Sequence, residues 1–222
     1  MKFYKQVMRT FVDLPGHHSL LIHSLVGCNM HCFGCHNYDE IVAKKHEEFF
    51  TEEDIIQQIQ LNGYFFDAII FSGGEFLLEK IEPIINFLNR IRSIFHGLII
   101  INTNGTSPDK MKTLINQKLV DGFHIDMKLP YHLLDINEDK EIFQAIMGIE
   151  PTQHFLEKLL TSIELVIQQN SPYSQIRTVK YPILSDEFFE EIEYYIKTLN
   201  QKYQTQVEYR INEFLDISHS KI

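Results

Sequence analysis

Short apolar segments alternate with longer helical patterns along the whole chain, and this alternation limits the fold more than any other feature. Apolar runs of strand length recur six times, separated by segments whose apolar residues follow helical spacing. Repeated βα units of this kind are typical of a parallel sheet. We therefore predict an α/β fold, an open (β/α)6 partial barrel of the TIM type, formed as a single domain by residues 1–222. The predicted strands are 19–26, 68–71, 98–101, 123–127, 175–180 and 206–211.

Capping signals mark where several of the predicted helices begin. Thr51 followed by Asp54 indicates a capping box, in which a hydroxyl and a carboxylate each bond a backbone amide at the helix start. Pro108 suits the first position of a helix, where its missing N–H would have no partner anyway. Another helix is predicted over 77–95, and the helical region before the fifth strand is expected to break near Gly148.

All three cysteines of the chain lie in one stretch, from Gly27 to Asn37, with the spacing C-x3-C-x2-C. At this spacing Cys28, Cys32 and Cys35 can hold three irons of a cubane iron–sulfur cluster. Clusters that only transfer electrons are normally closed by four cysteines. Because this chain has no fourth cysteine, such a cluster would keep one iron open to another ligand.

A zinc site is the alternative that these residues leave open. Structural zinc sites often combine three cysteines with one histidine, and five histidines lie within or just before the cysteine stretch. A disulfide framework is excluded, because three closely spaced thiols cannot pair without leaving one over. The histidines are His17, His18, His23, His31 and His36.

Polar or glycine-rich segments lie at the ends of successive predicted strands. In parallel βα folds these ends meet at one edge, where ligands bind, so the segments are expected to share one site. Each segment taken alone also fits an ordinary turn or a surface ion pair. The segments are Ser72-Gly73-Gly74-Glu75 after the second strand, Asn102-Thr103-Asn104-Gly105 after the third, Asp126-Met127-Lys128 closing the fourth, and Arg177 and Arg210 on the fifth and sixth.

Charge and hydropathy argue against two classes of partner. The formal net charge is −10 and there is no basic block, which argues against nucleic acid as the main partner. No run of about 18 apolar residues is present, and the first residues lack the apolar core of a signal peptide. We therefore expect a cytoplasmic protein without a membrane partner, a compartment in which thiols stay reduced.

The cysteine spacing, the Gly-Gly-Glu segment and the Thr-Asn-Gly segment together resemble the radical S-adenosylmethionine (SAM) superfamily. The resemblance implies a radical SAM domain with a [4Fe-4S] cluster on Cys28, Cys32 and Cys35, whose open iron takes the amino and carboxylate groups of SAM. It also implies reductive cleavage of SAM to methionine and a 5′-deoxyadenosyl radical. Phe76 stands where the family commonly has proline.

The same resemblance assigns SAM contacts to individual residues. The glycine-rich segment is expected to approach the amino group of SAM, Asn104 to lie under the ribose and carboxylate, and His36 to lie beside the adenine. The residues expected to bind the cofactor are Ser72, Gly73, Gly74, Glu75, Asn102, Asn104, His36 and Arg177.

The opening Phe11-Val-Asp-Leu-Pro-Gly16 and the string Asp126-Met127-Lys128 resemble activases of glycyl radical enzymes, nearest to anaerobic ribonucleotide reductase activating proteins. Asn102 stands where those activases have an aspartate. The resemblance implies that Asp126 and Lys128 line the catalytic site and that Arg177 reaches SAM. It implies hydrogen abstraction from a glycine of a glycyl radical enzyme under anaerobic conditions, with flavodoxin or ferredoxin as electron donor. A radical SAM enzyme acting on a small molecule, similar to 7-carboxy-7-deazaguanine synthase, is the alternative.

Overall fold

A computed structural model describes residues 1–215, and within it the chain divides into two units. The cysteine stretch is shared between them, because Cys28 belongs to the first unit while Cys32 and Cys35 belong to the second. Residues 216–222 of the predicted domain lie outside the described residues. The first unit consists of Met1–Asn29, Asn37–Thr103 and Asp109–Phe123, and the second of Met30–His36, Asn104–Pro108 and the residues from His124 onward.

The first unit contains a mixed sheet with parallel strands at its centre. Its strands are β1 (Lys2–Phe3), β2 (Met8–Thr10), β3 (Ser19–Ser24), β4 (Phe50–Thr51), β5 (Ala68–Gly73) and β6 (Leu98–Thr103). They are ordered β4-β1-β3-β5-β6, and β2 also pairs with β3. β3, β5 and β6 are parallel, whereas β1, β2 and β4 form antiparallel pairs. The parallel strands are almost completely buried, as expected for strands covered on both faces.

Three α-helices lie in this part of the described chain: α1 (Glu52–Asn62), α2 (Ile81–Arg92) and α3 (Pro108–Asn116), whose first residue is assigned to the second unit. The predicted capping box is confirmed, since the Thr51 hydroxyl accepts from Asp54 N and the Asp54 carboxylate accepts from Thr51 N at 2.8 Å. Pro108 is the first residue of α3, as predicted. Local signals therefore fix where these two helices begin.

Aromatic packing determines which face of β5 is available for function. Phe71 stacks on Phe76 with ring centroids 5.0 Å apart, and it meets Phe87 of α2 edge-on. All three rings are fully buried. Because successive side chains of a strand point to opposite faces, Ser72 lies on the face that this aromatic cluster leaves uncovered.

The second unit repeats the βα pattern. Its strands β7 (Gly122–Asp126), β8 (Gln175–Lys180) and β9 (Glu208–Glu213) are parallel neighbours, although β7 begins within the first unit. Its helices are α4 (Lys140–Met147), α5 (Gln153–Gln169) and α6 (Asp186–Tyr203). The predicted helix break is present, because Gly148 adopts a left-handed conformation with φ 67° and Thr152 caps α5. In register, Asp126 lies opposite Arg177, and Arg177 opposite Arg210.

All six predicted strands exist, and the predicted α/β class with parallel strands is confirmed. The prediction of one helix over 77–95 is wrong at its start, because Phe76–Leu78 form a separate helical turn and α2 begins only at Ile81. The strands β1, β2 and β4 were not predicted, since two or three residues are too few to show a period. No helix within residues 1–215 is long and apolar enough to cross a membrane.

Candidate active site

The glycine-rich turn after β5 packs directly against the segment that enters the cysteine stretch. Gly74 N donates to Ser24 O at 3.3 Å, and Glu75 N donates to Gly27 O at 2.7 Å. A Cβ at Gly74 would lie 1.9 Å from Gly27 O, and Gly73 has φ +114°. Glycine is therefore required here by close backbone contact within the protein, in addition to any approach by a ligand.

Asn37 connects the other end of the cysteine stretch to the same turn. Its side-chain Nδ2 donates to Gly73 O at 2.9 Å. Gly27 and Asn37 are the two ends of the cysteine stretch, and both belong to the first unit. Both are thus bonded to the glycine-rich turn at the end of β5. Sequence reasoning assigned no role to Asn37, although its position directly after the Cys-His pair was the available signal.

Glu75 is a buried structural carboxylate with only 1 % of its surface exposed. Its Oε1 accepts from Thr103 Oγ1 at 3.0 Å and from Leu77 N at 3.1 Å, so it caps the turn Phe76–Leu78. Nearby, Lys110 Nζ donates to Leu77 O and Glu79 O, both at 2.6 Å. Burial lowers the pKa of Lys110, opposed by the charges of Glu75 and Glu79. This network bonds the turn after β5 to Thr103 of β6 and to Lys110 of α3.

Three polar side chains lie side by side on the parallel strands of the first unit. His23 is opposite Ser72, and Asn102 Nδ2 lies 3.3 Å from Ser72 Oγ. Asn102 Oδ1 and His23 Nδ1 are buried and have no hydrogen-bond partner among residues 1–215. Burial lowers the pKa of His23, opposed by Asp13, so the imidazole is neutral at physiological pH.

This row, His23–Ser72–Asn102, fits part of the predicted cofactor. An unmet buried acceptor costs about 1–3 kcal/mol, so Asn102 Oδ1 is suited to a donor supplied by a ligand, such as the ammonium or a hydroxyl of SAM. Sequence reasoning placed His23 only among candidate zinc ligands. The register of the parallel strands β3 and β5 places His23 directly opposite Ser72, and this register was the information that could have identified His23.

In the second unit, the end of β7 carries a charged cluster. Lys128 Nζ lies 2.8 Å from Asp126 Oδ2, and Arg177 Nη2 lies 3.7 Å from Asp126 Oδ1. Burial would raise the pKa of Asp126, but the charges of Lys128 and Arg177 outweigh it and hold the pKa below its usual value. Burial would lower the pKa of Lys128, yet the Asp126 carboxylate raises it well above the usual range. Asp126 and Lys128 therefore stay charged, and together with the Arg177 guanidinium the cluster holds two cations against one carboxylate.

This excess positive charge is suited to a carboxylate ligand. His124, fully buried beside Arg177, adds no charge, because burial and the nearby guanidinium hold its pKa well below the usual value. Arg210 is paired with Glu208 at 3.1 Å. Of the predicted residues in the second unit, Asp126, Lys128 and Arg177 are thus brought together. Arg210 lies opposite Arg177 in register but forms its ion pair with Glu208.

Cys32 and Cys35 lie in a short turn in which Cys35 N donates to Cys32 O at 3.2 Å. All three cysteine side chains are partly exposed thiols. Cys32 lies near enough to Lys128 to be among the causes of its raised pKa, after burial, Asp126 and Tyr181. Soft thiolate donors select iron–sulfur clusters or zinc, so the donor set fits the predicted cluster.

Residues 1–215 contain no group of three His, Cys, Asp or Glu side chains arranged around one metal-ion position. A cubane cluster does not need such a group, because each thiolate binds a different iron.

The remaining predicted residues of the second unit make local contacts. Asn104 Oδ1 accepts from Thr106 N at 3.1 Å and from Thr106 Oγ1 at 2.8 Å, which is a side-chain turn. The exposed His36 places Nε2 3.2 Å from Leu215 O. Neither contact was predicted, and both show how the protein itself orients these side chains.

The fold is of the α/β class with mostly parallel strands, and three thiols follow one of these strands along the chain. The model of the Radical SAM superfamily matches residues 22–199, and the chain belongs to that superfamily. Its members use SAM and an iron–sulfur cluster. The chain is also 33% identical over 189 residues to a protein of Methanocaldococcus jannaschii provisionally named a glycyl-radical enzyme activating enzyme, covering 85% of this chain and 71% of that protein.

Solved structures share this fold. Native anSMEcpe with bound AdoMet (SAM) matches with a TM-score of 0.57 and 17% identity, over 86% of this chain and 49% of its own. HydG, a maturase of the [FeFe]-hydrogenase, matches with a TM-score of 0.62 and 13% identity, over 89% of this chain and 42% of its own. The chain thus spans about half the length of these structures. Their likeness confirms the predicted partial-barrel fold class.

Proposed function

We propose that this protein is a radical SAM enzyme that activates a glycyl radical enzyme. The observation that carries the proposal is the 33% identity to the provisionally named activating enzyme, in a chain of this superfamily with a C-x3-C-x2-C motif. In this proposal residues 1–222 form one radical SAM domain, and Cys28, Cys32 and Cys35 bind a [4Fe-4S] cluster. One-electron cleavage of the C5′–S bond of SAM, giving methionine and a 5′-deoxyadenosyl radical, is the chemistry that such a cluster supplies when bound.

The residues of the first unit are proposed to bind and orient the cofactor. Asn102 Oδ1 accepts a hydrogen bond from SAM, and Ser72 holds the Asn102 amide in place through the 3.3 Å contact. Gly73 and Gly74 present backbone groups to the amino end of SAM. Glu75 acts by fixing the turn, because its carboxylate is already bonded to Thr103 and Leu77 N.

The residues of the second unit are proposed to bind a carboxylate and to line the catalytic site. Lys128 and Arg177 supply the positive charge, and Asp126 fixes both cations in position. His36 and Asn104 are assigned to the adenine and ribose ends of SAM. A water-excluding environment strengthens each of these charged contacts.

The proposed partner is a glycyl radical enzyme, with anaerobic ribonucleotide reductase favoured, and the hydrogen atom comes from a backbone glycine of that partner. Flavodoxin or ferredoxin is the proposed electron donor. We place the protein in the cytoplasm, where thiols stay reduced. Asn102 distinguishes this chain from activases that have an aspartate at that position.

The test begins with anaerobic reconstitution and measurement of iron, sulfide and visible absorption. Reduced protein with SAM should then form 5′-deoxyadenosine, and addition of the partner enzyme should give a glycyl doublet in the electron paramagnetic resonance spectrum. Cys32→Ala is the control and should give neither product. If the protein contained zinc in place of iron, the assignment of an iron–sulfur cluster would be wrong. If it turned over a small purine-like substrate without giving a glycyl signal, the assignment of a glycyl radical enzyme as partner would be wrong.

A further inference from the structure

The end of helix α4 holds the part of the cysteine stretch that lies in the second unit. His31 N donates to Met147 O at 3.2 Å, and Phe33 N donates to Ile146 O at 2.9 Å. The last four carbonyls of a helix have no partner within it. Two of these carbonyls therefore accept from amides that flank Cys32, and α4 is the element that sets the backbone of this segment.

Gly148 makes this close approach possible. It ends α4 with φ 67°, and a Cβ at this position would lie 2.0 Å from His31 O and 2.6 Å from His31 C. Real Cβ atoms do not come this near to backbone, so any other residue would push the cysteine segment away from the helix. Gly16 is a useful contrast, because it has φ +80° but nothing within 4 Å of its Cβ position.

The same end of α4 also supports Lys128. Met147 Sδ accepts from the Tyr131 hydroxyl at 3.8 Å, and that hydroxyl accepts from Lys128 N at 3.0 Å. Tyr131 is buried, and burial raises the pKa of its hydroxyl, so it stays protonated. The helix end thus contacts the cysteine segment directly, and it reaches Lys128, two residues past the end of β7, through Tyr131.

We propose that Ile146–Gly148, which we call the α4 template, positions Cys32 and Cys35 for the cluster and Lys128 for the carboxylate. Gly148 is a positioning residue in this template. The inference rests on the proposed function, because it assumes that these cysteines bind the cluster. It adds an element that neither the motif nor the family comparison assigns.

Gly148→Ala tests the template, with Gly16→Ala as the matched control. Both variants place an alanine at a left-handed position, but only Gly148→Ala clashes with the cysteine segment. After anaerobic reconstitution, Gly148→Ala should retain iron about tenfold or more weakly against a chelator, the size of effect found for outer-shell supports of metal sites. Gly16→Ala should retain iron like the wild type. Circular dichroism should show folded protein in both variants.

Amide hydrogen exchange in the wild-type apoprotein tests the same contacts without a variant that has to fold. The amides of His31 and Phe33 should exchange slowly, because each donates to a carbonyl of α4. Fast exchange at both amides would overturn the template, and so would a folded Gly148→Ala protein with wild-type iron retention. A wild-type protein that takes up no iron would instead overturn the proposed function, and with it the cluster-positioning role.

Discussion

Asn102 and His23 each keep a buried polar atom without a partner among residues 1–215. Such an atom costs about 1–3 kcal/mol, so packing alone gives no reason to keep it. Buried polar groups that oppose stability tend to collect at functional sites. Glu75 shows the opposite situation, because Oε1 of its buried carboxylate accepts from Thr103 Oγ1 and from Leu77 N. Side chains with an unused buried hydrogen-bonding atom, such as Asn102, are therefore candidates for binding a ligand, whereas Glu75 has a structural role.

Asn102→Leu should weaken SAM binding without destabilising the fold. The substitution removes the unmet acceptor and keeps the same branched side-chain shape, so the free energy of unfolding should stay within about 1 kcal/mol of the wild type. The dissociation constant for SAM should rise about tenfold, from titration calorimetry on anaerobically reconstituted protein. Asn62→Leu at the end of α1 is the control and should leave SAM affinity unchanged. If Asn102→Leu bound SAM with the wild-type dissociation constant, Asn102 would not be a SAM contact.

Asp126→Asn should make the free energy of unfolding less dependent on pH in the acid range. The pKa of Asp126 is lower in the folded than in the unfolded chain, so its contribution is present above the unfolded value of about 3.9 and is lost as pH falls through the lower folded value. The side chain is one-third exposed, so we expect a modest contribution of about 1–2 kcal/mol. Urea unfolding of apoprotein from neutral to acid pH measures it. The control variant, Asp109→Asn, should show the same pH dependence of the free energy of unfolding as the wild type. If Asp126→Asn showed that wild-type pH dependence too, the ion pair of Asp126 would be contradicted.

At the level of secondary structure, the ends of helices and strands hold the part of the cysteine stretch that lies in each unit. The turn after β5 bonds Gly27 and Asn37 at the two flanks of the cysteine stretch, and the end of α4 bonds the backbone around Cys32. Helix and strand ends suit this task because their outermost backbone groups still need partners. Other ends serve stability alone, and the start of α1 is such a case.

Thr51→Ala should destabilise the protein without affecting the cofactor. It removes the hydroxyl that accepts from Asp54 N, a loss of about 1 kcal/mol in the free energy of unfolding. Thr161→Ala, within α5, removes a hydroxyl that caps nothing and should leave stability nearly unchanged. Chemical denaturation compares the two variants. A drop in iron content of Thr51→Ala would show that α1 influences the cysteine stretch.

At the scale of the whole molecule, cofactor binding and folding stability are coupled. A ligand that binds only the folded protein stabilises it in proportion to its affinity and concentration. For this chain the proposed ligands are a cluster and SAM, and the second requires the first. The net charge of −10 does not prevent a carboxylate from binding at the proposed site. Lys128 and Arg177 outnumber Asp126 there, and more distant charges are screened by salt.

SAM should raise the unfolding temperature of cluster-loaded protein only. At about 100 times its dissociation constant, a ligand adds about 2.7 kcal/mol, which corresponds to roughly 5–10 °C for a chain of this size. Cys32→Ala, which should lack the cluster, is expected to show no shift. Anaerobic thermal scans with and without SAM give the comparison. An equal shift in Cys32→Ala would show that SAM binds without the cluster.

Spacing along the chain was enough to predict the order of the βα units, the capping box at Thr51, the helix break at Gly148 and the three-cysteine stretch. Spacing did not predict that Glu75 is buried, that Asn102 Oδ1 has no partner among the described residues or that α4 contacts the cysteine segment, because these features depend on tertiary packing. These features join residues far apart in sequence. Periodicity reports which face of an element is apolar, whereas burial and hydrogen-bond partners depend on what packs against that face.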